Sequence, residues 1–283
     1  MKRIIFGVLS FLSVITYAQN QRFSYEYKFV KDSTAKDKSV SELMYLDVSR
    51  KGSKFYSRDR AVADSIFLDM YTKGNHNVDL TGMKFGEVPY TVEKSYPDYE
   101  ILFFNKIDMD EFKVSDNRKL TWKILPDKEK IGEFNAQKAT ANFAGRQWIA
   151  WFSTEIPFQD GPYKFSGLPG LIVKIQDQTN SHHFMLKEVK KLKAEEIWIS
   201  ENQKTRYQPL IALSQDKYKK QFVDYRNNPT KGVRQLIARG GSMKYKDQNG
   251  KELDTNEHLR NQEKRAKENN ARNNNLLELD LLQ

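Results

Sequence analysis

A mostly β fold is predicted: an antiparallel, strongly curved sheet or open half-barrel, with a few helices toward the C-terminus. Three observations predict it. Short runs of alternating apolar and polar residues recur between residues 23 and 189, the period-two signature of half-buried strands. The runs lie close together and are separated by turn residues, which favours hairpins over βαβ units. Finally, 17 Phe, 14 Tyr and 4 Trp in 283 residues supply more ring surface than a disordered chain carries.

In chain order, Phe23, Tyr25, Tyr27 and Phe29 alternate with polar neighbours in a first strand. Leu43, Tyr45 and Asp47 mark a second, and Lys51-Gly52-Ser53 turns into a third over 54–57. Gly74, Gly82 and Gly86 punctuate a polar stretch to which no element is assigned. Residues 99–104 and 120–125 are apolar runs, the second ended by Pro126. Residues 134–143 and 146–152 form a hairpin about Ala144-Gly145, with Trp148, Ala150 and Phe152 on one face and Ile149 and Trp151 on the other. Leu171, Val173 and Ile175 alternate in the next strand, and 181–189 make another. Ser214 is the expected N-cap of a helix whose Tyr218 and Phe222 share a face and which Asn227-Asn228-Pro229 stops. Residues 247–251 read as a hairpin tip.

The expected organisation is a secretory signal at 1–18, a β-rich domain at 19–255 and a charged, weakly structured or helical tail at 256–283. Lys2 and Arg3 precede an apolar run at 4–15, and Ala18 precedes Gln19, the pattern of a cleaved signal. No later apolar run reaches the ~20 residues of a membrane span. Between 260 and 275 the apolar residues are Ala266 and Ala271 alone, so this stretch has no face to bury. The leucine-rich residues 276–282 are free to touch the same chain or a partner. Removing everything beyond Leu259 is expected to leave the unfolding midpoint nearly unchanged.

Cysteine is absent, which excludes disulfides, thiol chemistry, Cys-ligated zinc and lipid attachment at the signal junction. The expected location is the periplasm or cell surface, in soluble form without a lipid anchor. The net charge of +10 is spread along the chain and reads first as an ordinary solvated surface, with contact to a membrane surface or an anionic glycan as the alternative. Export argues against nucleic acid. The partner is unknown, an outer-membrane or envelope component being the candidate.

The densest stretch is 146–175. Pro169 sets φ for one turn position, and Gly170 is expected at positive φ in the next, as in a type II turn. Gly167 permits a turn or a close approach. Gly161, Pro162, Gly167, Leu168, Pro169 and Gly170 are therefore read as a structural motif. Residues 167–172 spell Gly-Leu-Pro-Gly-Leu-Ile, and the chain resembles the GLPGLI family of exported bacterial proteins. The resemblance extends to Arg146, Trp148, Trp151, Phe152, Ile156-Pro157, Gly161-Pro162 and Phe165, and to Tyr25-Glu26-Tyr27 and Phe55-Tyr56-Ser57. It departs at Asn135-Ala136-Gln137, where many members carry a Cys before the Gln. The resemblance implies export and a β-rich fold, and no activity.

Candidate chemistry is sparse. The histidines are His76, His182, His183 and His258. Adjacent His182 and His183 point to opposite faces of a strand and do not share a metal, so one is expected packed and the other solvated. Glu155, Asp160 and Asp177 flank the motif. A pair of them could do acid–base work, but acids near turns commonly cap them. No Gly-x-Ser-x-Gly, P-loop, dinucleotide fingerprint or His-Glu-x-x-His occurs. No catalytic residue, metal or cofactor is assigned. Arg146 either ties the hairpin to a buried carboxylate or holds an anionic group. With Trp148, Trp151 and Phe165 it makes the candidate ligand-binding set. The expected function is a non-enzymatic envelope protein holding an apolar or peptide-like ligand or an envelope partner. An unrecognised periplasmic hydrolase and a purely structural interaction protein are the alternatives.

Overall fold

The alternating runs become strands of one large sheet. The structure, a computed structural model, describes residues 20–74, 81–196, 198–206 and 208–283; the signal expected at 1–18 lies outside the described residues. The strands are β1 (Gln21–Val30), β2 (Ser39–Ser49), β3 (Gly52–Ser57), β4 (Thr91–Ser95), β5 (Ile101–Ile107), β6 (Asp110–Asp116), β7 (Lys123–Ile131), β8 (Phe134–Phe143), β9 (Arg146–Ser153), β10 (Leu171–Asp177), β11 (His182–Lys191) and β12 (Ile211–Ser214). They form a 12-stranded sheet in the order β12-β6-β5-β4-β3-β2-β1-β11-β10-β9-β8-β7. Only β12 and β6 run parallel. The two ends, β12 and β7, are edges, so the sheet stays open. The predicted curved antiparallel sheet is the observed architecture.

Its inner face carries the core. Phe23, Tyr25, Tyr27 and Phe29 of β1 are buried, as are Trp148, Ala150 and Phe152 of β9. The connection between β9 and β10, residues 154–170, folds back across this face and places Phe165 and Leu168 in the same cluster. Among the described residues four helices accompany the sheet: α1 (Arg58–Lys73), α2 (Gln215–Asn227), α3 (Lys231–Ala238) and α4 (Thr255–Arg272). The hairpin tip at 247–251 joins a small pair, β13 (Tyr245–Lys246) and β14 (Glu252–Leu253).

Four expectations are corrected. Helix α1 was not anticipated. The Ser57 hydroxyl accepts the Arg60 N–H at 3.1 Å and Gly74 closes the helix at φ +64°, but Ala63 is its only buried residue, so no apolar face announces it. Pro126 does not end its strand. β7 is an edge, and its register with β8 shifts between Ile124 and Lys128, so the missing N–H falls where the ladder is already interrupted. Val173 does not share a face with Leu171 and Ile175. A register shift between Ile172 and Lys174 turns Ile172 inward and packs Val173 against Ala136 and Ile131 on the outer side. Last, the tail is not peripheral. α4 buries Leu259 alone, but the chain then returns to the body, and Leu277 and Leu281 enter the core. Helical periodicity describes the charged helix and does not fix where the leucines beyond it land.

Candidate functional site

The motif loop is shaped by its prolines. Phe158 N–H donates to Ile156 O and Gly170 N–H to Leu168 O, both at 2.8 Å. These are γ-type turns centred on Pro157 and Pro169, whose fixed φ suits that central position. The expected positive φ belongs to Gly167, at +91°, and Gly170 does not adopt one. Gly170 is required for space, since a Cβ there would stand 2.2 Å from Ser153 O. At Gly161 a Cβ would stand 2.8 Å from the Ile172 side chain. The two glycines let the loop lie against β9 and β10.

A buried lysine holds the loop from the other side. Lys94 Nζ, from β4, donates to the carbonyls of Gly161, Tyr163 and Phe165 at 2.7, 3.0 and 3.3 Å and pairs with the Asp160 carboxylate. Asp160 also accepts from the Tyr96 hydroxyl and from Gly161 N–H. Burial lowers the Lys94 pKa and Asp160 draws it back. Asp160 is thus occupied as the loop's anchor. Glu155 bonds to Asn135 and Asp177 to Arg146, so each of the three acids has a separate partner.

The four candidate ligand-binding residues do not line one pocket. Trp148 and Phe165 are both 0% exposed and meet edge to face with centroids 4.7 Å apart. Trp148 Nε1 donates to Phe143 O. Trp151 lies on the opposite face, with the Lys138 ammonium 5.9 Å from its ring. Of the four, Arg146 is the one that hydrogen-bonds a distant segment, residues 275–276, and that contact defines a site.

The segment is the C-terminus. Arg146 Nη1 pairs with Asp177 at 2.9 Å, Nη2 donates to Asn275 Oδ1 at 2.6 Å, and Nε and Nη2 both donate to Leu276 O, at 3.0 and 2.6 Å. Asn275 is gripped throughout. Its N–H donates to Lys31 O at 3.0 Å and its Nδ2 to Val30 O at 2.9 Å, while His182 Nε2 donates to its carbonyl at 3.0 Å. Nδ1 lies 2.7 Å from the Tyr27 hydroxyl, which donates to it when the ring is neutral. Burial, and then the Arg146 guanidinium, push the His182 pKa down to about 3. For Asp177, burial works upward, but Thr179, the His182 N–H and Arg146 together hold its carboxyl below the ordinary value.

One turn on, Glu278 sits among donors. Tyr163 Oη, Lys164 Nζ, Arg118 Nη2 and Gln215 Nε2 lie at 2.6, 2.7, 2.9 and 3.0 Å. Lys164 also pairs with Asp116 at 2.8 Å and lies 4.4 Å from the Phe103 ring centre. Arg118 bridges Asp116 and Asp280. Burial alone would raise the Glu278 carboxyl, but Lys164 and Arg118 keep it below the usual range. Asp280 N–H donates to Ala144 O. The seat for residues 275–281 is therefore built mainly from the β8–β9 turn, Arg146, Tyr163 and Lys164, completed by Arg118 and His182.

Sequence reasoning found Arg146 and missed Tyr163, Lys164, Arg118, Asn275 and Glu278. Tyr163 and Lys164 carried a signal, being polar groups inside the apolar motif stretch. Their acidic partner, 114 residues away from Lys164, carried none. His182 is buried and His183 half-buried, and among the described residues no group of His, Asp or Glu is placed to hold a metal ion. Among the same residues no helix is long and apolar enough to cross a membrane.

Comparison with known proteins adds two findings. A family model described as "Protein of unknown function (Porph_ging)" matches residues 143–174. That segment contains the β8–β9 turn, the motif loop, Arg146, Tyr163 and Lys164. Two solved structures of PNGF-II, in P21 and C2 space groups, are similar in fold: each has TM-score 0.51 and 17% identity, covering 74% of this chain and 34% of theirs. The chain thus spans about a third of the PNGF-II structure. No curated protein sequence matches.

Proposed function

We propose that this chain is a non-enzymatic envelope protein of the GLPGLI type, exported to the periplasm or cell surface, which holds a peptide-like ligand in the seat around Arg146, Tyr163 and Lys164. One observation carries this reading: residues 275–281 lie in that seat as a bound peptide would. Arg146, His182 and the Lys31 carbonyl take hold of main-chain groups, which any peptide offers. The pockets for Asn275, Leu277, Glu278 and Leu281 supply selectivity. The side chains of Lys164 and Arg146 are 1% and 3% exposed. Cations so deeply desolvated are destabilising by several kcal/mol if a partner is taken away, so the seat favours an acidic occupant. The chain's own tail, tethered nearby, fills it at high effective concentration, and a partner's segment would compete for the same contacts.

The test is a labelled peptide of residues 273–283 titrated into the full chain carrying Leu277→Ser and Leu281→Ser, which weaken the resident tail. Saturable binding is expected, and a peptide with Glu278→Lys should not bind. If the double variant fails to fold, the full chain with Leu281→Ala alone takes its place. A folded variant that ignores the native peptide would overturn the reading and leave the tail as an ordinary part of the fold.

A further inference from the structure

On the outer side of the sheet, between the start of α1, strands β5 and β6, residues 201–206 and Leu210, lies a cleft of ≈ 360 Å³. It shares no residue with the C-terminal seat. Most charges around it are matched. Glu201 pairs with Lys54, Lys204 and Arg206, each at 2.7 Å, and Arg206 also meets Glu111 at 2.7 Å. These pairs fix the 201–206 segment against the sheet and use up Glu111 and Glu201.

Two cations on the cleft wall remain. Arg60 is fixed at its backbone, where its N–H caps onto Ser57, yet its side-chain Nε is buried with no hydrogen-bond acceptor. Asp64 lies one turn along α1 on the same wall. Lys106 of β5 acts at longer range on the Asp108 carboxylate and, among the described residues, makes no close ion pair. A buried guanidinium N–H left without an acceptor is costly, and the Nε–Nη edge of arginine is a fork that fits two oxygens of one oxyanion. Thr91 and Thr205 add hydroxyls to the wall and Phe104 an apolar surface.

We infer that this cleft is a second binding site, for a small ligand bearing a carboxylate or phosphate, with Arg60 as the fork and Lys106 as the supporting cation. Its volume lies at the small end of ligand sites, roughly 300–1,000 Å³, which fits a sugar acid, an amino acid or a phosphorylated small molecule. The site is independent of the C-terminal seat, so either can fail without the other.

The experiment follows amide shifts of the full-length chain by two-dimensional NMR at low ionic strength. Inorganic phosphate is one titrant and glucuronate the other. Saturable shifts are expected at Arg60, Thr91 and Lys106. Arg60→Gln should weaken binding about tenfold, as loss of a charge-assisted fork implies, and Lys106→Gln several-fold. Lys128→Gln, on distant β7, should leave it unchanged. Response to phosphate alone identifies a phosphate-bearing ligand, response to glucuronate alone a carboxylate, and response to both the shared oxyanion chemistry. If Arg60→Gln perturbs α1, Lys106→Gln, at an exposed position, decides. Failure of both anions to saturate, or wild-type affinity in a folded Arg60→Gln or Lys106→Gln chain, would overturn the assignment.

Discussion

Gly167 and Gly170 belong to the same hexapeptide and are required for different reasons. Gly167 has φ +91° with open space where a side chain would go, whereas Gly170 has ordinary backbone geometry and Ser153 O 2.2 Å from a would-be Cβ. Gly167→Ala should therefore cost about 1–2 kcal/mol of backbone strain. Gly170→Ala should cost more, because β9 and the loop must separate, and overpacking of this kind alone is worth about 1–3 kcal/mol. Chemical denaturation of the two variants checks the order. Equal losses would return Gly170 to the type II turn that the sequence suggested. His182 makes a separate prediction at this scale. Its folded pKa of about 3 lies below the ordinary 6.5, so the unfolded chain binds the proton more readily. Stability is then fully present above pH 6.5 and falls as pH drops toward 3. His183, half-buried and shifted the same way by burial and Lys174, contributes in the same direction. His182→Gln should be less stable at pH 7.5 but lose less between pH 6.5 and 4.5. An unchanged slope in urea titrations over that window would show that His182 is not buried as a neutral ring.

Among the elements, the C-terminal segment matters most. Ending the chain after Arg272 removes Leu277 and Leu281, both 8% exposed, worth about 1.5–3 kcal/mol each in burial. It also strips Arg146 of its Asn275 and Leu276 acceptors and leaves Lys164 with Asp116 as its one acidic partner. At roughly 2–4 °C per kcal/mol for a chain of this size, the melting midpoint should fall by roughly 10 °C or more. A midpoint within a degree or two of the full chain would place the tail outside the fold. The same elements mark what a single sequence makes legible. The β8–β9 hairpin was readable to its turn, because Trp148, Ala150 and Phe152 alternate with Ile149 and Trp151 in a pattern that burial enforces. Arg146 stood out beside that turn. Helix α1 did not, since exposed Ile66, Phe67, Leu68 and Tyr71 follow no core-facing period. The bulge at Val173 was hidden because Leu171, Ile172 and Val173 are all apolar and either register reads as a strand. Glu278 was illegible for another reason. Its partners Arg118, Tyr163 and Lys164 are joined to it only by tertiary folding, and no local rule links them.

For the molecule as a whole, the segment matched by the family model and the chain's last residues form two sides of one interface. Residues 143–174 supply the turn carbonyl, Arg146, Tyr163 and Lys164, and residues 275–281 supply Asn275, two leucines and Glu278. The motif loop and the tail pack on the inner face of the sheet, where Trp148 and Phe165 are core, while Trp151 lies on the outer face. The tail is joined to the sheet through α4, which buries little. Opening of the tail contacts alone would therefore free the seat and leave the 12-stranded sheet intact. Hydrogen exchange on the unmodified full-length chain, followed by mass spectrometry or NMR, tests this most directly. Amides of residues 275–282 are expected to exchange through a local opening, at a lower free energy than those of β9 and β10. Exchange of the tail amides only through global unfolding, in step with the sheet, would contradict it and make the C-terminus an inseparable part of the core.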